Sequence, residues 1–268
     1  MTSRWVILLL AVGILASTAA QGETTASQPA EMISVPVTVQ PNELRTYRLT
    51  VAIKGCVGIA DSEPLLIDAV NTMKLLHRYG RREGDGLLQL DISATDVQAI
   101  INGEKAPATD QFPKLTALLD GAWKVNRLFG IENTQYAGQV PGLNYANLLL
   151  LFYVPDLDRE HALGQAWTSK VRWPGRSDEV TIVSTIKSRD AAARTVTVRQ
   201  EYTWPEMKLD GDRTVRCAAT VDSVFDSSTG KLLKSHAECQ LPFNEPSQSK
   251  PENRQYRATS RIDISLER

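Results

Sequence analysis

Three histidines are the first residues whose chemistry could indicate a catalytic or metal site. His77, His161 and His236 lie far apart in the sequence, and no His-x-x-x-His or Cys-x-x-Cys spacing places two metal ligands on one local face. The sequence also lacks the Gly-x-Ser-x-Gly of a nucleophile elbow and the Gly-Lys-Ser/Thr of a phosphate-binding loop. It therefore predicts no catalytic, metal or cofactor site of local construction, and only residues distant in sequence could assemble one.

Two other groups of residues have a chemical and a structural interpretation. Asp156, Asp158 and Glu160 could hold Ca²⁺ through oxygen atoms, but the segment lacks the Gly and the distal Glu of an EF-hand loop, which favours a solvated loop. Four tryptophans could form a stacking platform for sugars or bases, yet three of them occupy apolar positions of alternating stretches. This placement favours packing in the core or at its rim for the tryptophans, which are Trp123, Trp167, Trp173 and Trp204.

The N-terminus has the three parts of a secretory signal. Arg4 precedes an unbroken apolar run over residues 5–16, and small residues follow up to Ala20. An uncleaved anchor is disfavoured because a spanning helix needs about 20 apolar residues. We therefore predict a signal peptide over residues 1–20, a polar linker over 21–31 and a single β-rich domain over 32–268. The expected location is secreted or periplasmic, with no stable membrane span after cleavage.

Three cysteines would then enter an oxidising compartment, in which an even number can pair. Cys217 and Cys239 flank the turn-rich residues 226–230, and a hairpin whose apolar residues share one face places them opposite each other. Directly opposed residues have Cβ atoms about 4.5–5.5 Å apart, slightly wide of the ~3.8 Å typical of disulfides. The sequence is compatible with both a strained Cys217–Cys239 disulfide and two buried reduced thiols. In either case Cys56 is the cysteine without an assigned partner.

Composition places the chain among ordinary soluble globular proteins. Of its 268 residues 42% are apolar and 23% are charged, and the formal net charge is −1. These values exclude a disordered chain and a multi-span membrane protein. They also give no electrostatic reason to expect nucleic acid as a partner.

Period-two alternation of apolar and polar residues dominates the chain. It predicts an antiparallel sheet with one solvated face, built from alternating stretches at 33–39, 47–53, 88–92, 167–173, 180–186, 196–204 and 256–266. Asp120-Gly121 predicts a further hairpin between residues 115–119 and 123–125. Residues 61–80 fit both helical and alternating spacing, and we interpret them as a strand that leads into a hairpin. Residues 143–154 are apolar on all sides, which predicts one short buried helix.

Three segments resemble a group of secreted bacterial β-rich domains of unknown function. They are LFYVPDL at 151–157, ALGQAW at 162–167 and the hairpin FDSSTGKL at 225–232, within a likeness that spans residues 40–243. The resemblance implies a mainly β fold with a large curved antiparallel sheet, half-barrel or sandwich-like, related in shape to half-barrel lipoprotein carriers. It also supports a strand at 65–80, and it implies no catalytic residues.

Together these observations favour an exported, non-catalytic binding module for a lipid-like or other hydrophobic small molecule. A large sheet with one apolar face needs a cover, and a ligand enclosed against that face could contribute to it. The alternative is an envelope scaffold or interaction protein with a filled core and an envelope protein as its partner. An enzyme is the third and least favoured interpretation, because no motif supplies a matched acid, base or nucleophile.

Overall fold

The fold is described from a computed structural model. The residues that this structure describes are 31–57, 65–82, 84–106, 114–130, 148–172, 179–205, 207–208, 214–215, 217–242 and 256–267. The predicted signal peptide over residues 1–20 lies outside this described part.

Sixteen strands occur in the described residues. In chain order they are β1 (Met32–Ile33), β2 (Leu44–Val57), β3 (Leu65–Arg82), β4 (Leu88–Ile101), β5 (Glu104–Ala106), β6 (Leu115–Leu119), β7 (Val125–Phe129), β8 (His161–Ala162), β9 (Ala166–Arg172), β10 (Glu179–Asp190), β11 (Thr195–Thr203), β12 (Met207–Lys208), β13 (Thr214–Val215), β14 (Ala218–Asp226), β15 (Leu232–Pro242) and β16 (Tyr256–Leu266).

Twelve of these strands form one large sheet. Its hydrogen-bonded order is β7-β6-β4-β3-β2-β16-β15-β14-β11-β10-β9, with β5 beside β4, and all neighbouring pairs are antiparallel. The sheet is nearly closed into a barrel, with β7 and β9 as its end strands. The remaining strands form two small sheets, β1-β8 and β12-β13. The predicted mainly β fold with a large curved antiparallel sheet is confirmed.

Strand β3 contains the segment for which local spacing allowed two interpretations. It pairs with β2 on one side and with β4 on the other, so the sheet satisfies the backbone donors and acceptors that a helix would otherwise pair internally. The alternate residues Leu75, His77 and Tyr79 are all buried. The strand interpretation is confirmed for residues 65–80, and residues 61–64 lie outside the described ranges.

The core lies against one face of the sheet. In β10 and β11 burial alternates residue by residue, as expected for strands with one solvated face. The inward residues of these two strands are Val180, Ile182, Ser184, Ile186, Val196, Val198, Gln200 and Tyr202. Most of them are apolar, and the two polar exceptions, Ser184 and Gln200, are as completely buried as their neighbours.

Residues 148–157, which we call the plug, belong to the same core. Leu148 through Val154 are all buried, but only Leu148 and Leu149 are helical, and the chain then continues as turns and irregular structure. The Leu150 carbonyl, which a continued helix would pair with the Val154 N–H, instead accepts a hydrogen bond from Tyr202 at 2.8 Å. Pro155 has no N–H to continue the helix either. The helix predicted for 143–154 is therefore not formed at 150–154, and residues 143–147 lie outside the described ranges.

The predicted strand at 33–39 is also shorter in the structure. Only Met32–Ile33 is extended into a strand, paired with β8. Beyond it the backbone bonds to separate segments, since the Val35 N–H donates to the Leu157 carbonyl at 3.0 Å and the Thr38 N–H to the Thr229 carbonyl at 2.9 Å. The alternation at 33–35 thus reflects burial beside the plug rather than a continuous strand.

Candidate functional site

The inner face of the sheet and the plug that covers it form the candidate functional site. Two tyrosine hydroxyls of the sheet form hydrogen bonds with residues 150–153 of the plug. The hydroxyls of Tyr79 on β3 and Tyr153 lie 3.0 Å apart, and Tyr202 on β11 donates to the Leu150 carbonyl at 2.8 Å. Burial raises the pKa of these phenols, so they remain neutral hydroxyls.

Aromatic rings make the second set of contacts between plug and sheet. The Phe152 ring centroid lies 4.5 Å from that of His77 and 5.0 Å from that of Tyr47. Trp123, at the β6–β7 turn, stacks on Tyr153 with ring centroids 5.7 Å apart. Much of the contact between plug and sheet is therefore apolar burial, which is not directional, together with aromatic pairs of defined geometry.

His77 is the buried histidine of this interface. Its side chain is fully buried, and neither ring nitrogen has a hydrogen-bond partner. Burial, with a smaller contribution from the positive charge of Arg45, lowers the pKa of His77 to about 3. The imidazole is therefore neutral near pH 7 and is poorly suited to exchange protons there.

Arg45 carries the buried positive charge next to this cluster. Its Nε donates to Glu43 Oε1 at 2.8 Å and its Nη2 donates to the Thr38 carbonyl at 3.0 Å. The guanidinium also lies 4.7 Å from the centroid of the Tyr79 ring. Its charge is thus compensated within the fold, as a stable buried cation requires.

The plug also connects the two ends of the sheet. Asp156 Oδ2 lies 3.6 Å from the Lys124 ammonium, next to β7, and accepts a hydrogen bond from Ser169 on β9 at 3.0 Å. The Trp167 indole, also on β9, donates to the Pro155 carbonyl at 3.2 Å. The segment that covers the inner face therefore also bridges the region between the end strands.

His161 is not paired with the carboxylates of Asp156, Asp158 or Glu160 in the structure. His161 Nε2 contacts the backbone carbonyl of Asp156 at 2.8 Å, and the His161 ring stacks on Trp167 with centroids 3.7 Å apart. Asp158 and Glu160 are exposed. Among the described residues no cluster of three or more His, Cys, Asp or Glu side chains could hold a metal ion.

His236 lies on the outer, solvated face of the sheet. Its Nδ1 is 2.6 Å from Asp263 Oδ1 and its Nε2 is 3.6 Å from Glu238. His236 and Asp263 form part of the wall of a hollow of about 530 Å³ that is also lined by Arg48, Asp222 and Lys234. Most of the residues around this hollow have charged or hydroxyl side chains, and two of them are paired across strands, Asp263 with His236 and Asp222 with Arg199.

Cys217 and Cys239 both lie buried in the core as free thiols. Their hairpin is formed as predicted, but Cys239 pairs with Ala219 instead of Cys217. A register with Cys217 opposite Cys239 would pair Phe225 with Lys231, whereas Phe225 pairs with Leu232, a shift of one residue at the turn. Leu233 then has no partner, because Val224 pairs with Lys234, and this bulge adds the second residue of the shift. A disulfide stays a prediction, and the diagonal placement makes the reduced alternative the more favourable one.

We expect Cys217 and Cys239 to resist alkylation in the folded protein. Burial raises the pKa of the Cys217 thiol to about 12 and that of Cys239 to about 11, so at about pH 8 only about one such thiol in a thousand, or fewer, is the reactive thiolate. Peptide mass spectrometry after iodoacetamide treatment should find both cysteines labelled only after unfolding, without a reductant. If labelling after unfolding requires a reductant, the two cysteines form a disulfide.

Comparison with known proteins gives a likeness of fold. Neither a protein-family model nor a curated protein matches the sequence. A structure of lipovitellin, concerned with lipid–protein interactions, matches 86% of this chain with 11% identity and a TM-score of 0.51. This chain spans about a quarter, 26%, of the lipovitellin chain. The fold is thus similar to part of lipovitellin.

A LolA-superfamily protein from Nitrosomonas europaea also matches. The match covers 87% of this chain and 89% of that protein with 11% identity, but its TM-score is 0.17, which is too low to indicate a shared fold.

The described part of the chain contains no helix with the length and apolar character needed to cross a membrane.

Sequence reasoning missed several residues of this site. Tyr79 and Tyr153 each occur in an apolar segment, and nothing in their spacing indicates that their hydroxyls meet. Nothing in the sequence indicates that both ring nitrogens of His77 are buried without a hydrogen-bond partner. The one available signal was its inward parity within the alternating residues of β3.

Proposed function

We propose that this protein is an exported, non-catalytic module that binds a hydrophobic, lipid-like small molecule against the inner face of its sheet. The observation that carries this proposal is the plug. It covers the apolar inner face without belonging to the sheet, and it is held mostly by packing. An acyl chain can make contacts of the same non-directional kind with that face.

The fold supports the same proposal. The large antiparallel sheet is similar to part of lipovitellin, in a structure concerned with lipid–protein interactions. Sheets with one apolar face require a cover, and lipid is an alternative cover to protein. Export, with cleavage near Ala20 and a periplasmic or secreted location, belongs to the proposal because of the signal-like residues 1–20.

A scaffold with a filled core is the second candidate function. The observation in its favour is the complete burial of Leu148 through Val154 within one continuous core cluster. In that case the inner face needs no ligand, and an envelope protein would bind elsewhere on the surface. The two functions differ in one measurable property, the presence of a small molecule in the purified protein.

Native mass spectrometry of the protein purified from its own cell envelope tests the proposal. We expect a chain that begins at Gln21, with a hydrophobic adduct that organic extraction releases. Ala219→Leu adds bulk to the buried inner face and should diminish the adduct, whereas Ala218→Leu makes the same change at an exposed neighbour and should retain it. A folded protein without an adduct in all three forms would favour the scaffold, and retention of Met1 would contradict export.

A further inference from the structure

Two buried polar side chains on the inner face lack partners. The Ser184 hydroxyl on β10 and the Gln200 amide on β11 are completely buried and have no hydrogen bond of good geometry. The amide interacts electrostatically with the Tyr202 phenol, whose hydroxyl proton is already donated to the Leu150 carbonyl. The two residues are directly opposite each other in the register. Because an unpaired buried polar group is strongly unfavourable, such groups are rare in folded proteins and call for an explanation.

The same face shows that this chain pairs other buried polar groups. Ser223 on β14 and Ser235 on β15 are also buried, and their hydroxyls lie 2.9 Å apart in a hydrogen bond. Tyr202, two residues from Gln200 on β11, hydrogen-bonds the Leu150 carbonyl of the plug. Unpaired buried polar atoms also occur at His77 and at the Trp204 indole, but Ser184 and Gln200 lie directly opposite each other on β10 and β11.

The chemistry of these groups defines what could pair with them. Gln200 offers one acceptor and two donors, and Ser184 offers a hydroxyl that can act in either sense. Their inward neighbours Ile182, Ile186 and Val198 are apolar, so an ionised group placed there would lose its hydration without a compensating charge. The complementary group is uncharged and contains both an acceptor and a donor.

We infer that Ser184 and Gln200 form a polar subsite for the uncharged, hydrogen-bonding part of a neutral amphipathic lipid, such as the ester and hydroxyl groups of an acylglycerol. This inference rests on the proposed function, since the ligand would occupy the inner face where the plug now lies. It specifies the chemical class of the ligand, because the subsite favours a neutral glycerolipid over a fatty acid anion. The acyl chain contacts the apolar residues, and the head group supplies the missing hydrogen bonds.

Competition with a fluorescent apolar probe, N-phenyl-1-naphthylamine, tests this subsite in the full mature protein. Monolauroylglycerol should displace the probe with an affinity at least about tenfold higher than laurate at about pH 8, because only laurate is charged. Ser184→Ala and Gln200→Leu should each weaken monolauroylglycerol about tenfold and leave laurate nearly unchanged. Ser223→Ala is the matched control, a buried serine with a partner, and it should leave this selectivity intact.

Thermal unfolding of the same variants separates binding from folding. Ser184→Ala removes an unpaired hydroxyl and should leave the unfolding midpoint unchanged or higher, whereas Ser223→Ala breaks a hydrogen bond and should lower it. Equal affinity of the wild-type protein for both lipids, or unchanged affinity in both subsite variants, overturns the inference and leaves the proposed function standing. Failure of the wild-type protein to bind the probe and both lipids overturns the proposed function and the inference together.

Discussion

Replacement of Phe152 by alanine is expected to lower the free energy of unfolding by about 3–5 kcal/mol. Phe152 is only 2% exposed, and its ring packs against the rings of Tyr47 and His77. Truncation removes the transfer free energy of the ring and leaves a cavity between the plug and strands β2 and β3. Urea denaturation followed by tryptophan fluorescence measures the loss.

Phe129→Ala is the matched control for this substitution. Phe129 lies on the end strand β7 and is 47% exposed, so the same chemical change there should alter the free energy of unfolding by only about 0.5 kcal/mol. Phe152→Leu, which retains most of the apolar volume, should lie between the two. An effect of Phe152→Ala as small as that of Phe129→Ala would show that the plug is not part of the folded core.

Acidification from about pH 7 to about pH 4 is expected to reduce the free energy of unfolding by about 3 kcal/mol through His77 alone. The pKa of His77 is about 3 in the folded protein against 6.5 for an unperturbed histidine. Between these values the unfolded chain binds the proton and the folded chain does not. The stability is therefore complete above the unfolded pKa and is lost as the pH falls towards the folded pKa, by about 1.4 kcal/mol per pH unit.

His77→Leu isolates this contribution from that of the carboxyl groups. Leucine has a similar volume and no titratable or unpaired polar atom, and the carboxyl groups titrate alike in both proteins. The difference in free energy of unfolding between variant and wild type should consequently shift in favour of the variant by about 3 kcal/mol between about pH 7 and pH 4. Parallel stability curves across this range would contradict the burial of a neutral imidazole.

The mainly β fold could be predicted from the sequence because alternation depends on one element at a time. Ile182, Ser184 and Ile186 face the core in β10, as their parity indicates. For residues 65–80 the apolar spacing alone does not distinguish a strand from a helix, since it suits both. Hydrogen bonding to β2 and β4 makes this segment a strand, and local spacing does not encode that pairing.

The cysteine hairpin shows that apolar alternation does not predict the exact register of two paired strands. The turn and the inward parity of Cys217 and Cys239 were predicted, but the assignment of opposite partners was wrong. Two shifts of one residue each, one at the turn and one at the unpaired Leu233, together move the partner of Cys239 from Cys217 to Ala219. Whether a strand contains a bulge depends on how it packs against both neighbours, and apolar pattern does not specify that.

By itself the sequence determined the class of fold, the inward or outward parity of most strands and the burial of the apolar segment 148–154, because each follows from a short period of apolar residues. Only the tertiary structure decided that Phe152 lies on His77, that Tyr202 binds the Leu150 carbonyl, and that Ser184 and Gln200 have no partner. These contacts join residues far apart in the chain. Hydrogen bonds form only within about 3 Å, and the register and curvature of the whole sheet decide which side chains come that close.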